Sequence, residues 1–591
     1  MQAQFNYTTN ADGVTATITG YSGAGGEVDI PGVINGLTVT DIGTNAFQGF
    51  TTLASVIISN GVQNIEAEAF YNCDNLTNAT LPGTLTNIGQ AAFYGCDSLG
   101  EITIPGSVTT IGAEAFYGCN VMTNATISEG VTAIGDEAFF SCEDLSGISI
   151  PASVTNIGEA VFALCLDLTG IQVAAANSAY SSSHGILFNK KQTVLVAYPA
   201  GISGSYAIPA AVTNIVDAAF EGCTGLGSVS IPSKVTNLGE YLFAYCYNMI
   251  KVTIPESVTN IADHAFYGCN DLDDIPLPTN VVSIGNQAFY GCYQVDNVTI
   301  PASTTNVGQG AFEWCTSLQG IAVDPENASY TSVNGVLFNK SQSTLVEYPG
   351  GVGGSYAIPR GATSIGPSAF EGCETLSAVT IPDTITSIGN DAFAYCYDLA
   401  SAIIPNSVSN MGIYTFFGCD GMTNAVISEN VTNLGDYAFY GCYGLTSIAI
   451  PASFLGIGEG TFAWCIHLTN ICFKGDPPIA DSSAFVHDNS FPTAFYLRGG
   501  TGWSSTYDGL PAVLWNPVVQ TAAPSFGVHG NQFGFNIVGT TNIPIVVAAC
   551  ANLASPVWIP LGNFALTNGS VYFADPDWTN FSTRYYRVSL P

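Results

Sequence analysis

Positive charge is what this chain has least of. Its 591 residues carry 10 Lys and Arg against 45 Asp and Glu, a formal net charge of −35, and no cation precedes Lys190. A nucleic-acid binder must displace counterions from phosphates with clustered cations, and an anionic membrane surface asks the same. Charge excludes both partners. Long hydrophobic runs are also missing: no apolar stretch approaches the ~20 residues of a membrane-spanning helix, so direct membrane insertion is not expected. Histidine is scarce. His184, His264, His467, His487 and His529 form no pair at i, i+4, and His264 reads as a surface substitution. There is no G-x-S-x-G, phosphate-binding loop or dinucleotide loop, and no C-x-x-C pair for zinc. Asn270-Asp271-Leu272-Asp273-Asp274 has part of the composition of a calcium loop but lacks its glycine and distal Glu; it reads as a solvated acidic face. No cofactor or metal is expected, and an enzyme is the least supported class. Aromatic and β-branched content is too high for disorder. The opening "MQAQFNYTTN" enters strand-like sequence directly. It is read as a mature secreted chain carrying an added Met1, against a leaderless cytosolic protein.

What is present is a repeat. Cys73, Cys96, Cys119, Cys142 and Cys165 are 23 residues apart; Cys223 to Cys315 and Cys373 to Cys465 keep the same step, with 58 residues between one five and the next. A larger unit of 150 residues is therefore used three times, with 35 extra residues at each of its two junctions. Fixed periods of this length indicate stacked coils. Residues 97–119, "DSLGEITIPGSVTTIGAEAFYGC", give the logic of one coil. Leu99, Ile102 and Ile104 read as a short strand with one face inward, and Pro105, lacking an N–H, ends it. Val108 and Ile111 point inward from a second side. Gly112 allows a sharp corner. Ala115, Phe116 and Cys119 suit one helical or 3₁₀ turn as the third side. One such coil leaves both flat ends of its core wet, so only stacking stabilises it.

The phrases "ITIPGSVTTIGAEAFYGC" and "IAIPASFLGIGEGTFAWC", repeated over about residues 20–515, resemble the BspA-like class of the leucine-rich repeat family. The resemblance implies a right-handed solenoid with a parallel β-sheet along one side. It also implies a surface-exposed interaction protein akin to adhesins, not an enzyme.

The cysteine lattice admits three readings: packing, some disulfides, or chemistry. Packing is favoured. Each five leaves one thiol unpaired, ladder side chains point parallel, and Phe50 fills the slot in the first coil; free Cys behaves as a small buried hydrophobe. Cys472 and Cys550 lie off the lattice and are expected to be the more reactive thiols. The two junctions, near 174–207 and 324–357, are near copies, each with a hairpin signature in "LFNK" and "TLV" and with Lys190, Lys191 and Lys340 at the tips. They are read as bulges that the solenoid tolerates, or as binding protrusions. The expected division is an N-terminal β cap over 1–43, a solenoid over 44–475, a C-terminal cap over 476–515, a linker over 516–524 and a small β-sandwich over 525–591.

Two surface rows are the candidate binding residues. Positions flanking the inward strand residues face solvent on the sheet: Asn78, Thr80, Glu101, Thr103, Asn124, Thr126, Lys251, Thr253, Asn297 and Thr299. Asn78-Ala-Thr80 and Asn124-Ala-Thr126 are also glycosylation sequons, of meaning only in a glycosylating host. A second row follows the cysteine: Tyr247, Tyr293, Tyr397 and Tyr443. Tyr gives contact area at low entropy cost. Both rows also fit plain strand propensity and solubility. The expectation is a secreted or surface-attached, monomeric adhesion protein that binds an extracellular protein or glycan through its solenoid. The alternative is an acidic structural rod that displays the C-terminal module.

Overall fold

The structure is a computed structural model and describes residues 4–486, 492–522 and 524–590. Met1, His487 and Ala523 of the expected linker lie outside the described residues. Residues 1–329 and 330–591 form two compact units, taken in turn.

In the first unit all eight inward positions of the coil 97–119 are buried: Leu99, Ile102, Ile104, Val108, Ile111, Ala115, Phe116 and Cys119. The strand Glu101–Ile104 pairs in parallel with Asn124–Ile127, residue for residue 23 positions on. Seven strands stack in this way from Gly26–Ile30 to Ile171–Val173. The second side, expected from Val108 and Ile111 but without assigned strands, is a sheet as well. Two-residue strands Asn87–Ile88, Thr110–Ile111 and Ala133–Ile134 pair in parallel. They extend a ladder begun by Phe5–Thr9, antiparallel to Thr15–Tyr21. Gly112 differs from its expected role. A Cβ there would lie 2.5 Å from the carbonyl carbon of Gly89, so this glycine permits close approach of two coils.

The third side is not the expected helical or 3₁₀ turn. Ala91, Phe93 and Gly95 donate their N–H groups to Ala113, Ala115 and Tyr117 of the next coil, each at 2.8 Å, while Tyr94 and Cys96 close turns onto Ala91 and Phe93. Two residues four apart take left-handed backbone in this coil, Glu114 at φ 58° and Gly118 at φ 67°. A helix satisfies its donors within its own axis. Here every second donor is directed across the stack, so all three sides bond coil to coil.

The 35-residue junction near 174–207 is a coil in its own right. Tyr180–Ser183 and Ile186–Asn189 form an antiparallel hairpin. Val194–Ala197 then pairs in parallel with Asn214–Ile215 on the second side, and Gly204–Ala207 with Leu226–Ser230 on the first, each in a new sheet that begins at the junction. Tyr198 takes the place of the coil phenylalanine, 4.9 Å from the ring of Phe220. The bulge is therefore a lengthened coil, with Lys190 and Lys191 exposed at its tip.

The second unit repeats the design. Tyr330–Val333 and Val336–Asn339 form a hairpin, Thr344–Glu347 joins Ser364–Ile365, and Tyr348 stacks 4.9 Å from Phe370. The last coils are extended by Thr493–Leu497 and Leu510–Trp515 in the same parallel sheet as Asn470–Phe473. The C-terminal module is all β. One sheet holds Gln532–Val538 against Val518–Gln520, Gly527–His529 and Ser570–Asp575; the other holds Pro544–Cys550 between Ile559–Ala565 and Tyr585–Ser589. Val518–Gln520 fell within the expected linker. It is instead a strand of the module, because alternating Val518 and Gln520 supply backbone partners for Asn536 and Val538.

Phe289 is fully buried, 5.1 Å from Phe266 and 5.6 Å from Phe312. Phe289→Ala is expected to lower stability to urea by ~3–5 kcal/mol, the usual cost of removing a buried Phe. Tyr293, 38% exposed, is expected to cost well under that when changed to Ala. Equal losses would refute this assignment of inside and outside.

Candidate functional site

The outward row of the first ladder follows from strand geometry, since side chains alternate across a strand. Asn78, Thr80, Glu101, Thr103, Asn124, Thr126, Lys251, Thr253, Asn297 and Thr299 are all exposed. Register sets Glu101 beside Asn78 and Asn124, Thr103 beside Thr126, and Thr253 beside Ser230. None of these ten side chains has a hydrogen-bond partner among the described residues. Neighbouring Thr77 and Thr123, by contrast, donate to the carbonyls of Ala54 and Gly100 one coil back. The row is thus flat, polar and unengaged.

The row is not continuous. Asn124 and Thr126 border a shallow cleft of about 490 Å³ with Ser149, Thr169 and Gln172. Lys251 and Thr253 border another of about 490 Å³ with Asp273, Asp274 and Pro276. The second cleft has a local cause. Pro276 stands where the next strand would need an N–H, and residues 273–278 form no strand. The reading of the outward row also missed its apolar members. Ile57 pairs beside Thr80, and in the second unit Ile403, 60% exposed, pairs beside Val426. Their signal was an apolar residue in the outward slot of the repeat.

Of the tyrosine row, Tyr247, Tyr293 and Tyr443 are exposed and Tyr397 is half-buried, edge-on to Tyr395 at 6.2 Å. A second aromatic row, two residues before the cysteine, went unrecognised. Tyr71, Tyr94, Tyr117 and Phe140 stack face to face at 4.5–4.7 Å, and Tyr267 on Tyr290 at 4.3 Å. Burial raises the phenol pKa of Tyr117 to about 12. His264, read as a surface substitution, is half-buried and stacks 4.5 Å from Tyr241.

All 17 cysteines are free and buried. The lattice thiols share one geometry: Cys96 Sγ donates to the carbonyl of Phe70 at 3.2 Å, Cys119 to Phe93 at 3.4 Å, Cys142 to Phe116 at 3.3 Å. Each of these carbonyls also accepts the N–H of the cysteine in its own coil. Burial raises the thiol pKa of Cys73 and Cys165 to about 12. The off-lattice pair corrects the expectation of reactivity. Cys472 is fully buried against Phe495 and Phe535, its pKa raised to about 12 by that burial, and Cys550 is buried in the module. Strand alternation at the end of the solenoid turns Cys472 toward the module, not toward water.

Among the described residues no cluster of three or more His, Cys, Asp or Glu is arranged to hold a metal ion, and no helix is long and apolar enough to cross a membrane. The C-terminal module carries a cleft of about 510 Å³ bordered by Val557, Ile559, Phe581 and Arg584. Its guanidinium lies 4.0 Å over Phe581 and pairs with Asp575 at 2.7 Å.

Parallel strands in 23-residue register, a buried Leu, Met or Val ahead of each strand and a Phe column define a leucine-rich-repeat solenoid. The family model described as "BspA type Leucine rich repeat region" matches residues 38–174, 203–319 and 354–489 in 6 copies. The chain belongs to that family. No curated protein matches. Among solved structures, the chain is similar to the pneumococcal vaccine antigen PcpA, with 18% identity and a TM-score of 0.45 over 72% of this chain and 97% of that one. It is similar as well to a leucine rich cell surface protein of Faecalibacterium prausnitzii, with 23% identity and a TM-score of 0.30 over 84% and 94%. A leucine-rich repeat protein of Bacteroides ovatus matches with 22% identity and a TM-score of 0.33 over 80% and 93%.

The thiol geometry has a direct readout. A thiol reagent at pH 8 is expected to find almost no reactive cysteine in the native chain and 17 after unfolding without reductant. Cys472 is expected to react no faster than the lattice cysteines. Fewer than half of the thiols in the unfolded chain would mean disulfides and would overturn the packing account.

Proposed function

We propose that this chain is a secreted or cell-surface interaction protein, and that it binds an extracellular protein or glycan through the outward face of its first ladder. One observation carries the reading: ten polar side chains stand exposed along that face with no hydrogen-bond partner in the protein. Unengaged donors and acceptors repeated at the ~4.8 Å strand pitch suit a repetitive partner. Many weak contacts of this kind raise avidity by roughly 10² to 10⁴. The net charge of −35 favours a basic protein or a neutral glycan over an acidic polymer. No catalytic step is part of the proposal, and the chain acts as a monomer in it.

A second reading has its own support. The module packs against the end of the second unit's solenoid: Cys472 and Phe495 share a core with Phe535, Ile537 and Ile545, and Trp515 Nε1 donates to the carbonyl of Pro544 at 2.7 Å. A module seated in this way fits a rod that displays it. With either reading goes a division into a cap over 1–43, a solenoid over 44–475, a second cap over 476–515 and a module beginning near Val518.

The test uses the full chain on a panel of immobilised matrix proteins and polysaccharides. Thr103→Lys or Thr126→Lys alone is expected to leave binding within about threefold of wild type, as multivalent attachment implies. Thr103→Lys, Thr126→Lys and Thr253→Lys together are expected to reduce it at least tenfold. The same number of changes at Tyr247, Tyr293 and Tyr443 is the control. Loss in the control with retention in the sheet-face variant would place binding elsewhere. No effect of either set would leave the rod.

A further inference from the structure

The lengthened coil disturbs the third side of the stack in the first unit. Within an unbroken run of 23-residue coils three N–H groups of one coil bond to the next, as Ala91, Phe93 and Gly95 do. Between the coil ending in Cys165 and the coil ending in Cys223, only one such bond is present among the described residues, Leu164 N–H to the carbonyl of Glu221 at 3.3 Å. The inserted coil lies between these two coils in the chain and takes up part of their bonding, with Tyr198 donating its N–H to the carbonyl of Ala219 at 2.8 Å. The opening is a cleft of about 370 Å³, at the small end of the ~300–1,000 Å³ common for ligand sites.

Five carboxylates border this cleft: Glu137, Glu159, Asp217, Glu221 and Glu240. Neighbouring acids have structural tasks. Asp136 accepts the N–H of Glu159 and Asp263 that of Asn286, each across one coil, and Asp217 accepts the N–H of Glu240. Glu221 has none. It is 7% exposed, lines the cleft, and its carboxyl group has no hydrogen-bond or ion-pair partner among the described residues. A buried charge without a partner is costly. Burial first, and the nearby Glu137 second, raise its pKa to about 8. Burial likewise raises Glu137, Glu159 and Asp217. Two flat rings complete the border. Phe140 is the last member of the ladder begun at Tyr71, and Tyr241 is stacked on His264.

The repeat supplies an internal control. In the next 150-residue unit the positions of Glu137, Glu159, Asp217 and Glu240 are held by Gln287, Gln309, Pro367 and Asn390, and only Glu371 is retained. The coil pattern therefore tolerates neutral residues at four of these five places, and solenoid folding does not demand the acids.

We propose that the cleft between Glu137, Glu221 and Tyr241 is a binding site for an organic cation, a guanidinium or ammonium group held between the two rings and neutralised by the carboxylates. Rings attract such cations over their faces, and carboxylates pair with guanidinium in bidentate fashion. The site lies on the turn side of the stack, so it does not depend on the sheet-face reading. The group comes either from a basic side chain of a polypeptide or from a free polyamine. In both cases Glu221 gives up its proton as the cation enters, since an adjacent positive charge favours the carboxylate. The groups that set this exchange are Glu137, Glu159, Asp217, Glu240 and the phenols of Tyr241, Tyr245 and Tyr117, whose own titration responds to Glu221.

The test is calorimetric titration of the full chain with agmatine, with an end-blocked Gly-Arg-Gly peptide and with calcium chloride. Agmatine or the peptide is expected to bind in 1:1 ratio. At pH 7, runs in buffers of different ionisation enthalpy are expected to show proton release. Tighter binding of the peptide assigns the group to a polypeptide, tighter binding of agmatine to a free amine. Glu137→Gln, Glu159→Gln and Glu221→Gln together are expected to weaken binding at least tenfold without lowering the melting temperature, because the variant removes mutual repulsion. Glu221→Gln alone is expected to abolish the proton release. The proposal is overturned if neither organic cation binds at millimolar concentration, if the triple variant binds as wild type does, or if calcium alone binds.

Discussion

The solenoid depends on one repeated contact, the phenylalanine of each coil with the cysteine of the next. The carbonyl of Phe93 accepts the N–H of Cys96 in its own coil and the S–H of Cys119 in the coil that follows, while its ring stacks 5.4 Å from that of Phe116. Each element alone is modest. An aromatic pair adds ~0.5–1.5 kcal/mol beyond its area, and an S–H bond to a carbonyl is second-order. Their effect lies in register. A one-residue change in the 23-residue spacing would part ring from ring and thiol from carbonyl at once. Cysteine suits the slot because it is small, apolar and still carries a weak donor. Alanine would leave the second lone pair of the carbonyl without a partner.

Where register is kept, the surface is monotonous; where it is broken, the surface acquires shape. Pro276 interrupts the first ladder by lacking an N–H and leaves a cleft beside Lys251. The lengthened coil at 174–207 breaks the turn side and leaves the acidic cleft beneath Glu221. Both are departures of one element from a ladder that otherwise fixes every neighbour.

Much of this was legible in the sequence. The eight inward positions of residues 97–119 follow from spacing alone, because a strand exposes alternate residues and a stacked coil must bury what remains. The third side was misread for a physical reason. Ala115, Phe116 and Cys119 at i, i+1 and i+4 suit a helical turn as well as they suit linked turns. The left-handed backbone of Glu114, or of Leu164 at φ 57°, leaves no mark in residue type. Cys472 was misjudged because it shares a core with residues far along the chain, among them Phe535 of the module, 63 residues on. The cleft of Glu221 draws on residues from 137 to 241, and it exists only because the junction forms a coil, which spacing by itself did not reveal. The exposure of the outward polar positions is legible because strand alternation is local; the apolar members Ile57 and Ile403 lie in the same slots.

In-register stacking also explains which side chains the outward row uses. Parallel coils set like positions side by side, and like charges directly opposite destabilise a sheet. An acidic chain must therefore keep its acids apart on this face. Glu101 is flanked by Asn78 and Asn124, and Thr103 meets Thr126. Neutral Asn, Ser and Thr are what remains for a flat ladder, and their unengaged groups are what the recognition proposed for this face would use. The same rule gives the acidic cleft its meaning. Glu159, Asp217 and Glu240 converge on one cleft, and Glu221 is buried beside them, its carboxyl group without a hydrogen-bond or ion-pair partner among the described residues. A cation entering the opening left by the lengthened coil would relieve the mutual repulsion of these carboxylates.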